Sequence, residues 1–99
     1  MKIYLIGVGM GNPNTLTLEA RRAIEESPVL IGAPRLLEPW GEGHTCIALI
    51  SADDIARRVE GERENVAVLL SGDTGFYSGA KRLWKLLEGY EVETIPGIS

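Results

Sequence analysis

Lys2-Ile3-Tyr4-Leu5-Ile6-Gly7-Val8-Gly9-Met10-Gly11-Asn12-Pro13 opens the chain and decides how the remainder is read. Its first part is rich in Ile, Leu, Tyr and Val with almost no polar interruption, the composition of a strand covered on both faces, and the glycines that follow end it in a turn. Lys2 to Val8 is therefore expected to be a central, parallel strand. Downstream, Thr15 to Glu26 puts Leu16, Ala20, Ala23 and Ile24 on one side and Arg21, Arg22, Glu25 and Glu26 on the other, an amphipathic helix.

The same alternation continues to the last residue. Pro28 to Gly32 is a second short strand, Pro34 to Glu38 one helical turn before a Pro39 to Gly43 loop, and Thr45 to Ile50 a third apolar run. Ser51 is placed to cap a helix through Val59 that buries Ala52, Ile55 and Val59, with Asp53 and Asp54 at its positive end. Val66 to Leu70 is a continuous apolar strand, and Ser71 to Phe76 a glycine-rich turn. Ala80, Leu83, Trp84 and Leu87 then recur at helical spacing as a core stripe, and Tyr90 to Ile95 is a last strand. Strands alternating with helices predict an α/β domain with a mostly parallel sheet flanked by helices.

The 99 residues allow one small domain, and 44% hydrophobic content supplies a single modest core. Ten Lys and Arg against fourteen Asp and Glu give a net charge of -4, which disfavours a nucleic-acid surface, since phosphate neutralisation needs clustered cations. The single cysteine, Cys46, forms no intrachain disulfide. It sits in Cys46-Ile47-Ala48-Leu49-Ile50, where a buried structural thiol is expected. The apolar start is too short for a secretion signal or a membrane span, which points to a cytoplasmic protein without a membrane partner. His44 stands alone in a loop, so no metal site is expected.

Ligands of parallel α/β sheets bind outside the carboxyl ends of the strands. Three glycine-bearing loops are expected there: Gly7 to Pro13, Ser71 to Ser78, and Ile95 to Ser99. The first fails the dinucleotide fingerprint, because Asn12 stands where a glycine is required and no acid follows in Val29 to Gly32. Nor is it a phosphate loop, lacking Gly-Lys-Ser/Thr. Asp73 could accept hydrogen bonds from a ligand hydroxyl or ammonium. It reads equally well as an Asx turn or as the cap of the helix starting near Tyr77. Ser71, Ser78 and Ser99 lack a His/Asp partner for nucleophilic catalysis.

Taken in order, the three loops resemble the tetrapyrrole (corrin/porphyrin) methylase family over the whole chain. Gly7-Val8-Gly9-Met10-Gly11-Asn12-Pro13 with Leu16-Thr17-Leu18 is similar to that family's opening motif, with Met10 in place of its proline. Gly72-Asp73-Thr74-Gly75-Phe76-Tyr77-Ser78 is similar to its second motif, with Thr74 in place of proline, and Ile95-Pro96-Gly97-Ile98-Ser99 matches its third. Phe76-Tyr77-Ser78 and Gly32-Ala33-Pro34-Arg35-Leu36-Leu37 further resemble the precorrin-6Y/cobalt-precorrin-7 branch, which methylates C-5 of the macrocycle in cobalamin biosynthesis.

The resemblance implies an S-adenosylmethionine-dependent C-methyltransferase acting on a corrinoid small molecule. Cofactor contacts would fall on Met10, Asp73, Phe76 and Ser99, and Gly72 and Gly75 would allow close approach. No catalytic nucleophile is expected, because positioning supplies most of the acceleration of a methyl displacement. Residues 1–99 would be the amino-terminal domain of a two-domain enzyme, ending at the inter-domain junction with the second domain absent. The complete protein is expected to be a homo-oligomer and the fragment alone inactive. Two alternatives stand beside this: a methylase of the same superfamily acting on uroporphyrinogen, a diphthamide precursor or ribosomal RNA, and a non-enzymatic α/β binding module.

Overall fold

A computed structural model of the chain describes residues 1–8, 16–70 and 81–96. Five strands form one all-parallel sheet: β1 (Lys2–Gly7), β2 (Val29–Gly32), β3 (Thr45–Ala48), β4 (Val66–Leu70) and β5 (Glu91–Pro96), in the order β3-β2-β4-β1-β5. The expected strand runs are found with ends shifted by one or two residues, and β1 is interior, as its unbroken apolar run requires.

The period-two alternation of each strand sorts its side chains between two helical layers. Tyr4, Ile6, Leu30, Ala67, Leu69 and Ile95 face helices α1 (Leu18–Glu25) and α2 (Pro34–Leu37), which bury Ala20, Ala23, Ile24, Leu36 and Leu37 against them. Ile3, Leu5, Val29, Ile31, Val66 and Val68 face the opposite layer. There α3 (Ala52–Val59) contributes Ile55 and Val59, and α4, described over residues 81–86, contributes Leu83, with Leu87 in the turn after it. The faces follow from handedness. A right-handed crossover that moves toward β3 puts its helix on one side, and one that moves toward β5 puts it on the other.

Helix ends obey local chemistry. Thr17 caps α1, its Oγ1 accepting from the Ala20 N–H at 3.2 Å, so the described helix begins at Leu18, beyond Leu16, which the apolar pattern places inside it. Ser51 holds the cap position of α3 without a side-chain hydrogen bond, and Ala52 is only half-buried. Gly89, with φ of 98°, turns the chain out of α4 into β5 through a left-handed conformation that suits glycine.

Two further expectations fail. Cys46 is exposed rather than buried, because β3 is the sheet's edge and only a short α2 and the three-ten turn Glu38–Trp40 lie near that face. Its thiol lies 3.7 Å from the Trp40 carbonyl oxygen, and desolvation raises its pKa. Trp84 is 48% exposed and is not core. It sits on the flank of the stripe formed by Leu83 and Leu87, over β5, beyond which no further strand lies among the described residues. Ala80, the first residue of that expected stripe, lies outside the described residues.

Candidate functional site

The sheet brings the exits of the three motif loops to one place. Gly7 of β1 is level with Leu70 of β4 on one side and with Pro96 of β5 on the other, so three adjacent strands end flush at the carboxyl edge. The Val8 N–H extends the ladder one step, donating to the Leu70 carbonyl at 2.7 Å. The helix following β1 lies on one face and the helix following β4 on the other, so the connections diverge between neighbouring strands. That divergence is the condition under which open α/β sheets leave a crevice for a ligand. Met10, Gly72, Asp73, Gly75, Phe76 and Ser99, the residues the sequence singles out, lie outside the described residues. What the structure describes is the frame from which their segments leave.

That frame is tight beside β4. A Cβ built on Gly32, the last residue of β2, would stand 2.8 Å from the Leu69 carbonyl oxygen and 3.3 Å from Leu69 Cβ, closer than side chains pack. Glycine here lets β2 and β4 converge at the carboxyl edge. Directly after it, Pro34 occupies the first turn of α2, Leu36 and Leu37 are buried, and the Leu36 N–H donates to the Ala33 carbonyl at 2.9 Å. On the opposite face Arg82 grips Asp53 through one nitrogen, at 3.0 and 3.2 Å from the two carboxylate oxygens, tying the start of α4 to the first turn of α3.

A second concavity has no signal in the residue pattern. A cleft of about 320 Å³ runs between α1 and β5, over Tyr4, Ala23 and Ile95, with Leu18, Glu26 and Glu93 among its walls. It exists because the crossover to β5 lies on the other face, so among the described residues α1 is the helix that lies against this side of β5 and it covers the strand incompletely. Here Tyr4 Oη donates to Glu26 at 3.3 Å, and Lys2 Nζ lies 3.4 Å from Glu93 and 5.3 Å from the Tyr4 ring centre. The hydrogen bond to Glu93 raises the Lys2 pKa, and burial raises that of Tyr4. His44 is structural in its described contacts, its Nδ1–H donating to the Ser27 carbonyl at 2.8 Å. Among the described residues no helix is long and apolar enough to cross a membrane.

Comparison with known proteins agrees with this frame. The sequence profile of the Tetrapyrrole (Corrin/Porphyrin) Methylases matches residues 2–99. Cobalt-factor III methyltransferase of Priestia megaterium is 32% identical over 99% of this chain and 21% of its own length. A probable cobalt-precorrin-7 C(5)-methyltransferase of Methanocaldococcus jannaschii is 26% identical over 98% of this chain and 49% of its own. Among solved structures, the cobalamin-biosynthesis precorrin-6Y methylase of Archaeoglobus fulgidus superposes with a TM-score of 0.73 at 28% identity, covering 99% of this chain and 53% of that one. The chain thus spans between about a fifth and a half of the length of these relatives.

Proposed function

Because this chain belongs to the tetrapyrrole (corrin/porphyrin) methylases, we propose that it supplies part of the S-adenosylmethionine site of a C-methyltransferase in cobalamin biosynthesis, with C-5 of precorrin-6Y or cobalt-precorrin-7 as the methyl acceptor. The observation that carries this reading is the flush register of Leu70, Gly7 and Pro96, from which all three motif segments depart. In this reading Met10, Asp73, Phe76 and Ser99 touch the cofactor. Gly72 and Gly75 keep the backbone free of side chains where the ligand approaches. The Asp73 carboxylate accepts from a hydroxyl or ammonium of the ligand.

The frame suits such a ligand. An edge that opens between diverging helices and is fed by glycine-bearing segments offers main-chain donors and acceptors to a polar molecule. S-adenosylmethionine, when bound, supplies an electrophilic methyl group on a sulfonium. The protein's share is to hold donor and acceptor in line and exclude water, and such positioning accounts for a large part of the rate. A second domain completing the cleft, a homo-oligomeric assembly and a cytoplasmic location belong to the same proposal. The greater length of the relatives supports the first of these.

A second reading keeps the chemistry and changes the acceptor, and the cobalt-factor III relative favours it. Incubating the full-length protein with S-adenosylmethionine and, separately, cobalt-precorrin-7, cobalt-factor III and uroporphyrinogen III distinguishes the two. The first reading expects a product one methyl group heavier from cobalt-precorrin-7. Methylation of another acceptor alone selects the second reading, and methylation of none overturns both.

A further inference from the structure

The Gly32-Ala33-Pro34-Arg35-Leu36-Leu37 stretch has no role in the cofactor site, yet it is built at the same edge. Gly32 ends β2 against Leu69 of β4, and α2 packs on β2, β3 and β4. The turn is rigid: Pro34 sets its first dihedral, while Leu36 and Leu37 are 3% and 6% exposed and lock its inner side. Between these anchors stands Arg35, exposed and without an ion pair among the described residues. Arg82, also at the carboxyl edge, is already held by Asp53. Beside this turn the Leu49 N–H donates to the Gly32 carbonyl at 3.1 Å. One residue further, Ile50 is 78% exposed, the most exposed large apolar side chain among the described residues.

A guanidinium on a fixed turn, with the exposed Ile50 leaving the neighbouring strand at the same edge, where parallel sheets take their ligands, matches a flat apolar body with carboxylates on its rim. We propose that Arg35 is a substrate-binding residue whose guanidinium takes a peripheral carboxylate of the tetrapyrrole while Ile50 meets the macrocycle's apolar surface. This rests on the methylase reading above. It adds a substrate contact from the β2–β3 side of the crevice, where none of the three motif loops originates.

The test uses the full-length protein and uroporphyrin III, a tetrapyrrole carrying carboxylates around its rim, titrated by fluorescence at low salt. Arg35→Ala should weaken uroporphyrin binding about twofold to fivefold, the upper part of the range for an exposed charge pair. Arg35→Lys, which keeps the charge but not the fork, should lose less. Arg63→Ala removes an exposed charge from the opposite, amino edge, between α3 and β4, and should leave uroporphyrin affinity unchanged. S-adenosylmethionine affinity should stay at the wild-type value in Arg35→Ala. Equal effects of Arg35→Ala and Arg63→Ala would overturn the assignment, as would a wild-type protein that does not bind uroporphyrin. Failure of the wild type to bind S-adenosylmethionine would instead remove the methylase reading, leaving the Arg35 comparison to be decided on uroporphyrin alone.

Discussion

Gly32→Ala perturbs the junction on which the site frame depends. The added Cβ would lie 2.8 Å from a backbone oxygen of β4, so relief requires moving a strand rather than a side chain. β2 is hydrogen-bonded to β3 on one side and β4 on the other, and a shift of a few tenths of an ångström disturbs both ladders. Overpacking of this kind costs about 1 to 3 kcal/mol. Alanine returns about 0.5 to 1 kcal/mol by restricting the unfolded chain. The net expectation is a loss centred on about 1 kcal/mol and reaching about 2.5 kcal/mol, which for a domain of this size lowers the melting temperature by roughly 4 to 20 °C. Gly41→Ala is the matched control. Its Cβ meets nothing closer than the Glu38 carbonyl oxygen at 3.8 Å, so that variant should be neutral or slightly more stable. Thermal unfolding of both variants decides the matter, and a Gly32→Ala protein that melts at or above the wild-type temperature would refute the close approach of β2 and β4.

Other expectations follow from individual contacts. Thr17→Ala removes the acceptor for the Ala20 N–H and should cost about 1 kcal/mol in urea unfolding; no change would mean that the cap is not formed in solution. Lys2 and Tyr4 both hold their protons more tightly folded than unfolded, so their contribution to stability is complete below about pH 10 and is lost as the pH rises above it. Stability should therefore fall between about pH 9 and 11, less steeply in Tyr4→Phe, and a rise over that window would contradict the Tyr4 burial. Cys46 should react with an aromatic disulfide in the native protein, faster as the pH climbs toward its raised pKa; protection until unfolding would restore the buried-thiol expectation.

The strands and helices were legible because each carries its own periodicity: the unbroken apolar run of β1, the one-sided stripe of α1, the alternation of short strands with turns. Strand order was not. Nothing local in Val66 to Leu70 says that it inserts between β1 and β2, since that depends on which faces the crossovers take. The two misread residues share one cause. Cys46 and Trp84 sit in patterns that look like core, but periodicity gives only the direction of a side chain and not whether a neighbouring element covers it. Cys46 lies on one edge strand and Trp84 beside the other. Of the proposed site, the sequence displays three glycine-bearing segments, whereas their common origin at Leu70, Gly7 and Pro96 required the sheet.

Whether these loops gather a cofactor is decided by the affinity of the full-length protein for S-adenosylmethionine, measured by calorimetry for the wild type and Asp73→Ala beside their melting curves. A hydrogen bond to a charged group is worth roughly 1.5 to 3 kcal/mol, so the variant should bind about tenfold to a hundredfold more weakly while melting almost as the wild type does. Unchanged affinity with a stability loss of about 1 kcal/mol, the signature of a helix cap, would contradict the cofactor reading.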